Sequence, residues 1–395
     1  MHILGIETSC DDTAAAVIKA ESGLKRPRFS VLANVSYSQV AIHKKFGGIV
    51  PNLASRAHLE KISPTVKTAL LMSDINSDEI DLIAVTRGPG LLPSLLVGVN
   101  FARALAYKWN KPIIGVNHIE GHIFSNWLPP VREFSISNFQ FSKKSQLPNT
   151  KYQILNTKFL FPALVLIVSG GHTELVLMKN YGKYKIIGET LDDAAGECFD
   201  KTARILGLGF PGGPAISRLV DKWEKDEFLR TYMLPIGQKC VHTEQTNRQI
   251  ELPRPMINSN DYNFSFSGLK TAVLYLYAAR YNVLKHCNKN EIQTILANEI
   301  QQAIVDVLIS KTLKAVKNYN PKSVMIAGGV SANKKLREAM ALKIAPYKIP
   351  FFAPELSYTT DNASMIAAAG YFNYLANKPS KNSWKKIEAN ANLRL

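Results

Sequence analysis

The most chemically pointed stretch of the 395-residue chain is HIEGH, residues 118–122, in which His118 and His122 stand four residues apart. On a helix that spacing puts the two imidazoles on one face, where they can share a metal ion; two surface histidines would look the same. A third ligand comes from position in the chain. Asp361, in TTDNASMIAAA, opens a helix at the place in the second half that HIEGH occupies in the first. Two histidines and one carboxylate leave coordination positions open, which suits Zn(II) or Fe(II) acting as a Lewis acid rather than as a structural staple. Zincin proteases also use histidines four apart, but as HExxH. Here Ile119 follows the first histidine and Glu120 is two residues on, about 200° around the helix from His118, so a metalloprotease is the weaker alternative.

A second group of residues could hold a nucleotide. Ser169-Gly170-Gly171, Gly212-Gly213 and Gly328-Gly329 are small turns in one half of the chain, and their amides can approach phosphate or ribose oxygens; tight turns alone would also use glycine. Asn333 falls at the first turn of the helix after Gly329, as a contact to base or ribose or as a plain helix-start residue. Asp200, in AGECFDK, can accept from ribose hydroxyls or pair with Lys201 or Arg204. The turn Glu7-Thr8-Ser9-Cys10-Asp11-Asp12-Thr13 gathers carboxylates that cannot attract phosphate themselves. They could hold a cation beside it, or take a proton from an attacking amine, which makes Asp11 and Glu7 general-base candidates against the alternative of a solvated turn. Cys10 has no activating neighbour and reads as structural.

The elements that carry these residues repeat once. ILGIETSCDDTAAAVI and ALVLIVSGGHTELVLM are both hairpins, with Thr13 and Thr173 leading the return strands. DLIAVTRGPG and SVMIAGGVSAN are both apolar strands ending in glycine turns, each followed by a helix, a short strand and another helix. The expected class is α/β, a duplicated fold resembling actin, hexokinase and Hsp70 (ASKHA), with two lobes around a nucleotide cleft. We divide the chain into a first lobe at 1–127, an insertion at 128–160, a second lobe at 161–360 with a helical layer and an insertion at 235–262, and a helix and tail at 361–395 that packs back on the first lobe. The segment GGIVPNLASRAH, residues 47–58, shows no chemistry by pattern.

Composition sets the outer limits. With 46% hydrophobic and 20% charged residues the chain builds ordinary cores, and its longest apolar run, residues 159–168, is interrupted by Pro162 and too short to span a bilayer, so no membrane is expected. Four scattered cysteines indicate neither a disulfide framework nor a sulfur metal site. The start MHILGI has no leader character, so any targeting presequence is expected to be absent from this chain. A net charge of +17 favours a polyanionic partner, with basic pairs at Lys25-Arg26, Lys44-Lys45, Lys143-Lys144 and Lys385-Lys386.

Together GIETSCDDT, GGIVPNLASRAH, HIEGH, VSGGHTEL, AGECFDK, PGGP, FSFSGLKTA, AGGVSAN and YTTDNASMIAAA resemble the TsaD family, the tRNA N6-adenosine threonylcarbamoyltransferases. The resemblance implies transfer of threonylcarbamoyl from threonylcarbamoyl-AMP, made by a separate synthase, to N6 of the adenosine 3′ of the anticodon in tRNAs reading ANN codons. It implies one divalent metal ion per subunit, Zn or Fe, held by His118, His122 and Asp361. It also implies an adenylate site, for AMP, ATP or threonylcarbamoyl-AMP, built from Ile167, Val168, Ser169, Gly170, Gly171, Asp200, Gly213 and Asn333, with Gly328 and Gly329 beside the base. Ile167 and His172 match the bacterial and organellar branch; Asn52 and Ser217 depart from the usual residues. The insertion after Pro129 and the composition resemble a fungal mitochondrial member, and such members are homodimers. The rival functions are an ATP-dependent small-molecule kinase of the same superfold, which needs no two-histidine site, and a nucleotide-binding scaffold without chemistry.

Overall fold

The computed structural model describes residues 1–24, 26–130, 160–233, 251–283 and 289–395. Most of the expected insertions, 131–159 and 235–250, lies outside the described residues, as do Lys25 and Lys143-Lys144.

The duplication is visible in two five-stranded sheets with one strand order. The first contains β1 (His2–Glu7), β2 (Asp12–Glu21), β3 (Arg28–Ser38), β4 (Leu82–Gly88) and β5 (Ile113–Asn117), ordered β3-β2-β1-β4-β5. The second contains β6 (Ala163–Val168), β7 (Thr173–Asn180), β8 (Lys183–Glu189), β9 (Ser323–Ala327) and β10 (Phe351–Phe352), ordered β8-β7-β6-β9-β10. In each, the first three strands form an antiparallel meander and the last two run parallel to the first. The sequence hairpins thus each acquire a third strand, β3 or β8, whose half-exposed residues break the apolar pattern that marks the inner strands.

Parallel neighbours need crossovers, and helices supply them. Between β3 and β4 lie the short α1 (Val40–His43) and α2 (Pro51–Ser73), and between β4 and β5 lies α3 (Leu92–Trp109). Residues of α2 and α3 close an outer core with Leu4, Ile6, Val17 and Val85. A short helix, α4 (His118–Phe124), follows β5. In the second half α5 (Ala195–Ile205), α6 (Gly212–Met233), α7 (Ser267–Val283), α8 (Lys289–Tyr319) and α9 (Lys334–Ile344) build the helical layer over the outer face of its sheet. The last helix, α10 (Ala363–Ala376), follows β10.

The inner faces of the two sheets meet through α4 and α10. Helix α10 is buried on all sides from Ala363 to Phe372, and although it comes from the second half it lies on β1, β2, β4 and β5 of the first sheet. Its approach is so close that a side chain at Gly5 would collide with the carbonyl of Ala363. Helix α4 makes the converse crossing: Asn126, just beyond it, donates to Ile326 O of the second sheet at 3.1 Å. One continuous core therefore holds Ile3 and Leu82 together with Val165, Met325 and Phe372. Each such buried side chain contributes roughly 1.5–3 kcal/mol, enough in sum to fix the two lobes against each other. Residues after α10 run along the first lobe, where Ser383 Oγ donates to Ile113 O at 2.9 Å and Asn390 N to Arg87 O at 2.7 Å.

Candidate active site

The helix exchange delivers the three candidate metal ligands to one point. Asn117 caps α4, its Oδ1 accepting from Ile119 N at 2.9 Å, so the helix begins at His118 itself. His118 and His122 then stand one turn apart with ring centroids at 4.6 Å. Asn362 caps α10 by accepting from Met365 N at 3.0 Å, which places Asp361 just outside the first turn and over α4. Asp361 Oδ1 lies 3.4 Å from His118 Nε2 and 3.3 Å from His122 Nε2. Buried imidazole nitrogens normally have hydrogen-bond partners, yet among the described residues His122 Nδ1 has none and Nε2 has only the poorly aligned approach to Asp361. Three converging donors, one of them without a well-aligned hydrogen bond in the interior, fit a divalent ion; nitrogen and carboxylate donors accept either Zn(II) or Fe(II).

Glu7 sits behind this set. Its Oε2 accepts from Thr86 Oγ1 at 2.6 Å and faces His118 Nδ1 at 3.1 Å, while Oε1 accepts from Ser9 N; Ser9 Oγ is also 3.1 Å from His118 Nδ1. A carboxylate on Nδ1 presents Nε2 as the ligating nitrogen. Glu7 is fully buried with both oxygens engaged, so it orients His118 and is not free to take a proton from a substrate, contrary to the expectation from its place in the turn.

The surroundings are strongly acidic. Burial alone would lower His118, but the charges of Asp361 and Glu7 raise it to about 10. Burial would raise Asp361, yet His118 and His122 hold it well below the usual carboxylate range. Asp11 is raised to about 6 by burial and then by Asp361, and Asp12 to about 7 by the same two causes. Burial followed by the neighbouring His118 and His122 lowers His172 to about 4. A site that favours positive charge this strongly is electrostatically prepared for a cation.

The glycine turns face the same junction from the second lobe. Ser169 N donates to His172 O at 2.8 Å to close the β6–β7 turn, and the Cα positions of Gly170 and Gly171 point into open space. Gly328, at φ +87°, is required: a Cβ there would stand 2.5 Å from Val168 O, so the β9 turn packs directly on the β6 turn. Gly329 beside it is open. Ile167 and Val168 are wholly buried and belong to the inner and outer cores, so only their backbone is near the turn. Helix α5 begins against Ser169, with Gly196 N donating to Ser169 O at 3.2 Å. One face further on, Asp200 Oδ1 accepts from Gly212 N at 2.6 Å, which joins the Gly212-Gly213 turn to the group. Lys201 pairs with Asp193 and Glu197 instead of Asp200. Asn333 behaves as the helix-start residue. Its Oδ1 caps α9 through Leu336 N at 2.9 Å, and its Nδ2 donates to Ser217 Oγ at 3.1 Å and Gln301 Oε1 at 2.8 Å, which uses its amide within the protein.

Several neighbours are given no individual role by the sequence. Asp12 has a buried Oδ1 without a partner, and Thr86 and Ser9 hold Glu7 in place. His58, in the segment without apparent chemistry, is fully buried, 2.7 Å from Thr13 Oγ1 through Nδ1 and 3.1 Å from Cys10 O through Nε2. Burial lowers its pKa, so the neutral ring donates from Nε2 and accepts at Nδ1.

Comparison with known proteins agrees along the whole chain. The TsaD family profile, described as tRNA N6-adenosine threonylcarbamoyltransferase, matches residues 30–135 and 147–368. Proteins of that name from Caldicellulosiruptor saccharolyticus and Thermosipho africanus are each 41% identical, over 98% and 100% of this chain and 97% and 100% of their own length. One from Bacillus subtilis is 41% identical over 94% of this chain and 90% of its own. With matching motifs, a matching profile and relatives of its own length, the chain belongs to the TsaD family of tRNA N6-adenosine threonylcarbamoyltransferases.

Proposed function

We propose that this chain transfers threonylcarbamoyl from threonylcarbamoyl-AMP to N6 of the adenosine 3′ of the anticodon in tRNAs reading ANN codons, releasing AMP. The observation that carries it is the open donor set of His118, His122 and Asp361, set at the lobe junction opposite the glycine turns. The adenylate lies against Gly170, Gly171 and Gly329, whose missing side chains leave room for it, with Asp200 and Gly213 alongside. A divalent ion held by the three ligands would supply Lewis acidity toward the carbamoyl carbonyl. N6 forms the new bond to the carbamoyl carbon as the bond to the AMP phosphate oxygen breaks, and AMP leaves with the electron pair. The N6 proton passes to Asp11, whose carboxyl, raised to about 6, is ionised near neutral pH yet basic enough to accept it. Holding two large substrates in register supplies much of the remaining acceleration.

Three further assignments belong to the same reading. The adenylate comes from a separate synthase. The chain works as a homodimer, supported by an apolar groove of about 390 Å³ between α2 and α3, lined by Leu59, Ile62, Leu96, Val97 and Phe101, with Leu59 65% exposed. It acts in the mitochondrial matrix, a reading that rests on the insertion after Pro129 and on the composition alone. The test is reconstitution: the purified chain, pre-formed threonylcarbamoyl-AMP and unmodified tRNA should give the modified nucleoside with no other protein. Unmodified tRNA in that mixture contradicts the proposal. Sedimentation of the chain as a monomer contradicts the dimer, and a tagged chain found outside mitochondria contradicts the location.

A further inference from the structure

The segment between β3 and α2, residues 39–50, ends in the start of the GGIVPNLASRAH motif, is left unused by the reaction above, and spans the mouth of the cleft. Its start is tied to the first lobe, where Gln39 N donates to Asp11 O at 3.0 Å. Its end is tied to the second lobe, where Arg204 Nη2 donates to Gly47 O and the guanidinium packs over Gly47 and Gly48. Arg204 lies one turn of α5 beyond Asp200, so the segment bridges the metal side of the cleft and the adenylate side. Its base is rigid: buried His43 and Gln39 bond each other through Nε2 and Oε1 at 3.1 Å, and Gln39 Nε2 reaches His58 Nδ1 at 3.4 Å. Its tip is a single turn, Lys44–Phe46, in which Lys44 and Lys45 are exposed and Phe46 is 60% exposed.

A lone exposed aromatic needs no explanation. An aromatic held on a rigid bridge over a catalytic cleft, directly after two exposed lysines and near exposed Arg204, is a different arrangement. It combines a flat stacking surface with cations for phosphate oxygens, the combination by which proteins hold unpaired RNA bases. The chain's charge of +17 gives the complementary field. We propose that Lys44–Phe46 is a docking platform for a single-stranded RNA loop, with Phe46 stacking on a base next to the one entering the cleft and Lys44 and Lys45 contacting its phosphates. The proposal rests on the tRNA-modifying function above and assigns its positioning surface.

The experiment measures binding of an anticodon stem-loop RNA to the full chain, with AMP binding and metal content as internal controls. Phe46→Ala should weaken stem-loop binding and raise the RNA KM by about 5- to 100-fold, with kcat, AMP binding and metal content unchanged. Phe46→Trp should bind within about twofold of wild type. Lys44→Ala with Lys45→Ala should weaken binding and lower the slope of log K against log salt by about 1.4. Wild-type affinity in Phe46→Ala, or no rescue by Phe46→Trp, overturns the platform while leaving the transfer function intact. Absence of stem-loop binding by the wild-type chain overturns both.

Discussion

The β1–β2 turn of the first lobe and the β6–β7 turn of the second occupy the same place in one duplicated topology, yet they have been put to opposite uses. The first is closed: Glu7, Thr8 and Ser9 are buried, its carboxylates crowd Asp361, and it is wired to His118. The second is open, with nothing among the described residues within 4 Å of a side chain at Gly170 or Gly171. Even the matched threonines differ in partner. Thr13 Oγ1 meets the buried ring of His58 on α2, whereas Thr173 Oγ1 accepts from Ala195 N at the start of α5. Duplication therefore supplied a symmetric frame, and side-chain divergence at the two turns split it into a metal-supporting side and a nucleotide-accepting side.

The division can be broken from the closed side first. Glu7→Gln keeps the shape behind His118 but removes the charge, so metal affinity should fall about 10- to 100-fold, read by chelator competition, with little change in AMP binding. Thr13→Val leaves His58 Nδ1 with only the long contact to Gln39 and should cost about 1–3 kcal/mol in denaturant unfolding. Thr173→Val leaves one backbone amide unpaired at a helix start and should cost no more than that. On the open side, Gly170→Ala should leave stability unchanged and weaken AMP binding, while Gly328→Ala should lose about 1–3 kcal/mol of stability from its positive φ and the contact with Val168. If Gly170→Ala unfolded the chain and bound AMP normally, the open turn would be structural after all.

The smallest effect concerns the strands that leave the two turns. Glu174 stands in β7 where β2 has Ala14, and burial, then Glu189, raises its pKa from 4.5 to about 7, partly offset by Arg394. A raised carboxyl contributes stability that is complete below pH 4.5 and lost as pH rises through 7. Glu174→Gln should therefore gain a few degrees in Tm over wild type between those values and show a constant difference above them. A wild-type Tm that follows the variant across that range contradicts the burial of this charge.

Much of this was legible before any coordinates. The repeat showed in its punctuation, because paired hairpins and glycine-ended strands recur in order, and the metal set could be read because two ligands share one helix and the third follows from the repeat. Other features depend on distances the chain does not encode locally. Glu7 reaches His118 across 111 residues, and β3 and β8 are too exposed to show an apolar alternation. Asn333 carries the residue type for either a base contact or a helix cap, and only its bonds to Ser217, Gln301 and Leu336 N give it the second role. His58 was hidden because a buried histidine on an apolar helix face looks like core.

The central claim is that the junction of the two lobes is a metal-dependent transfer site. Its most direct test is a single-turnover transfer assay on the chain alone, wild type beside the His118→Ala, His122→Ala double variant, with bound metal measured on the same samples. The account predicts about one equivalent of Zn or Fe and modified tRNA for the wild type, and loss of both for the variant while AMP still binds. Full transfer by the metal-free double variant would contradict it.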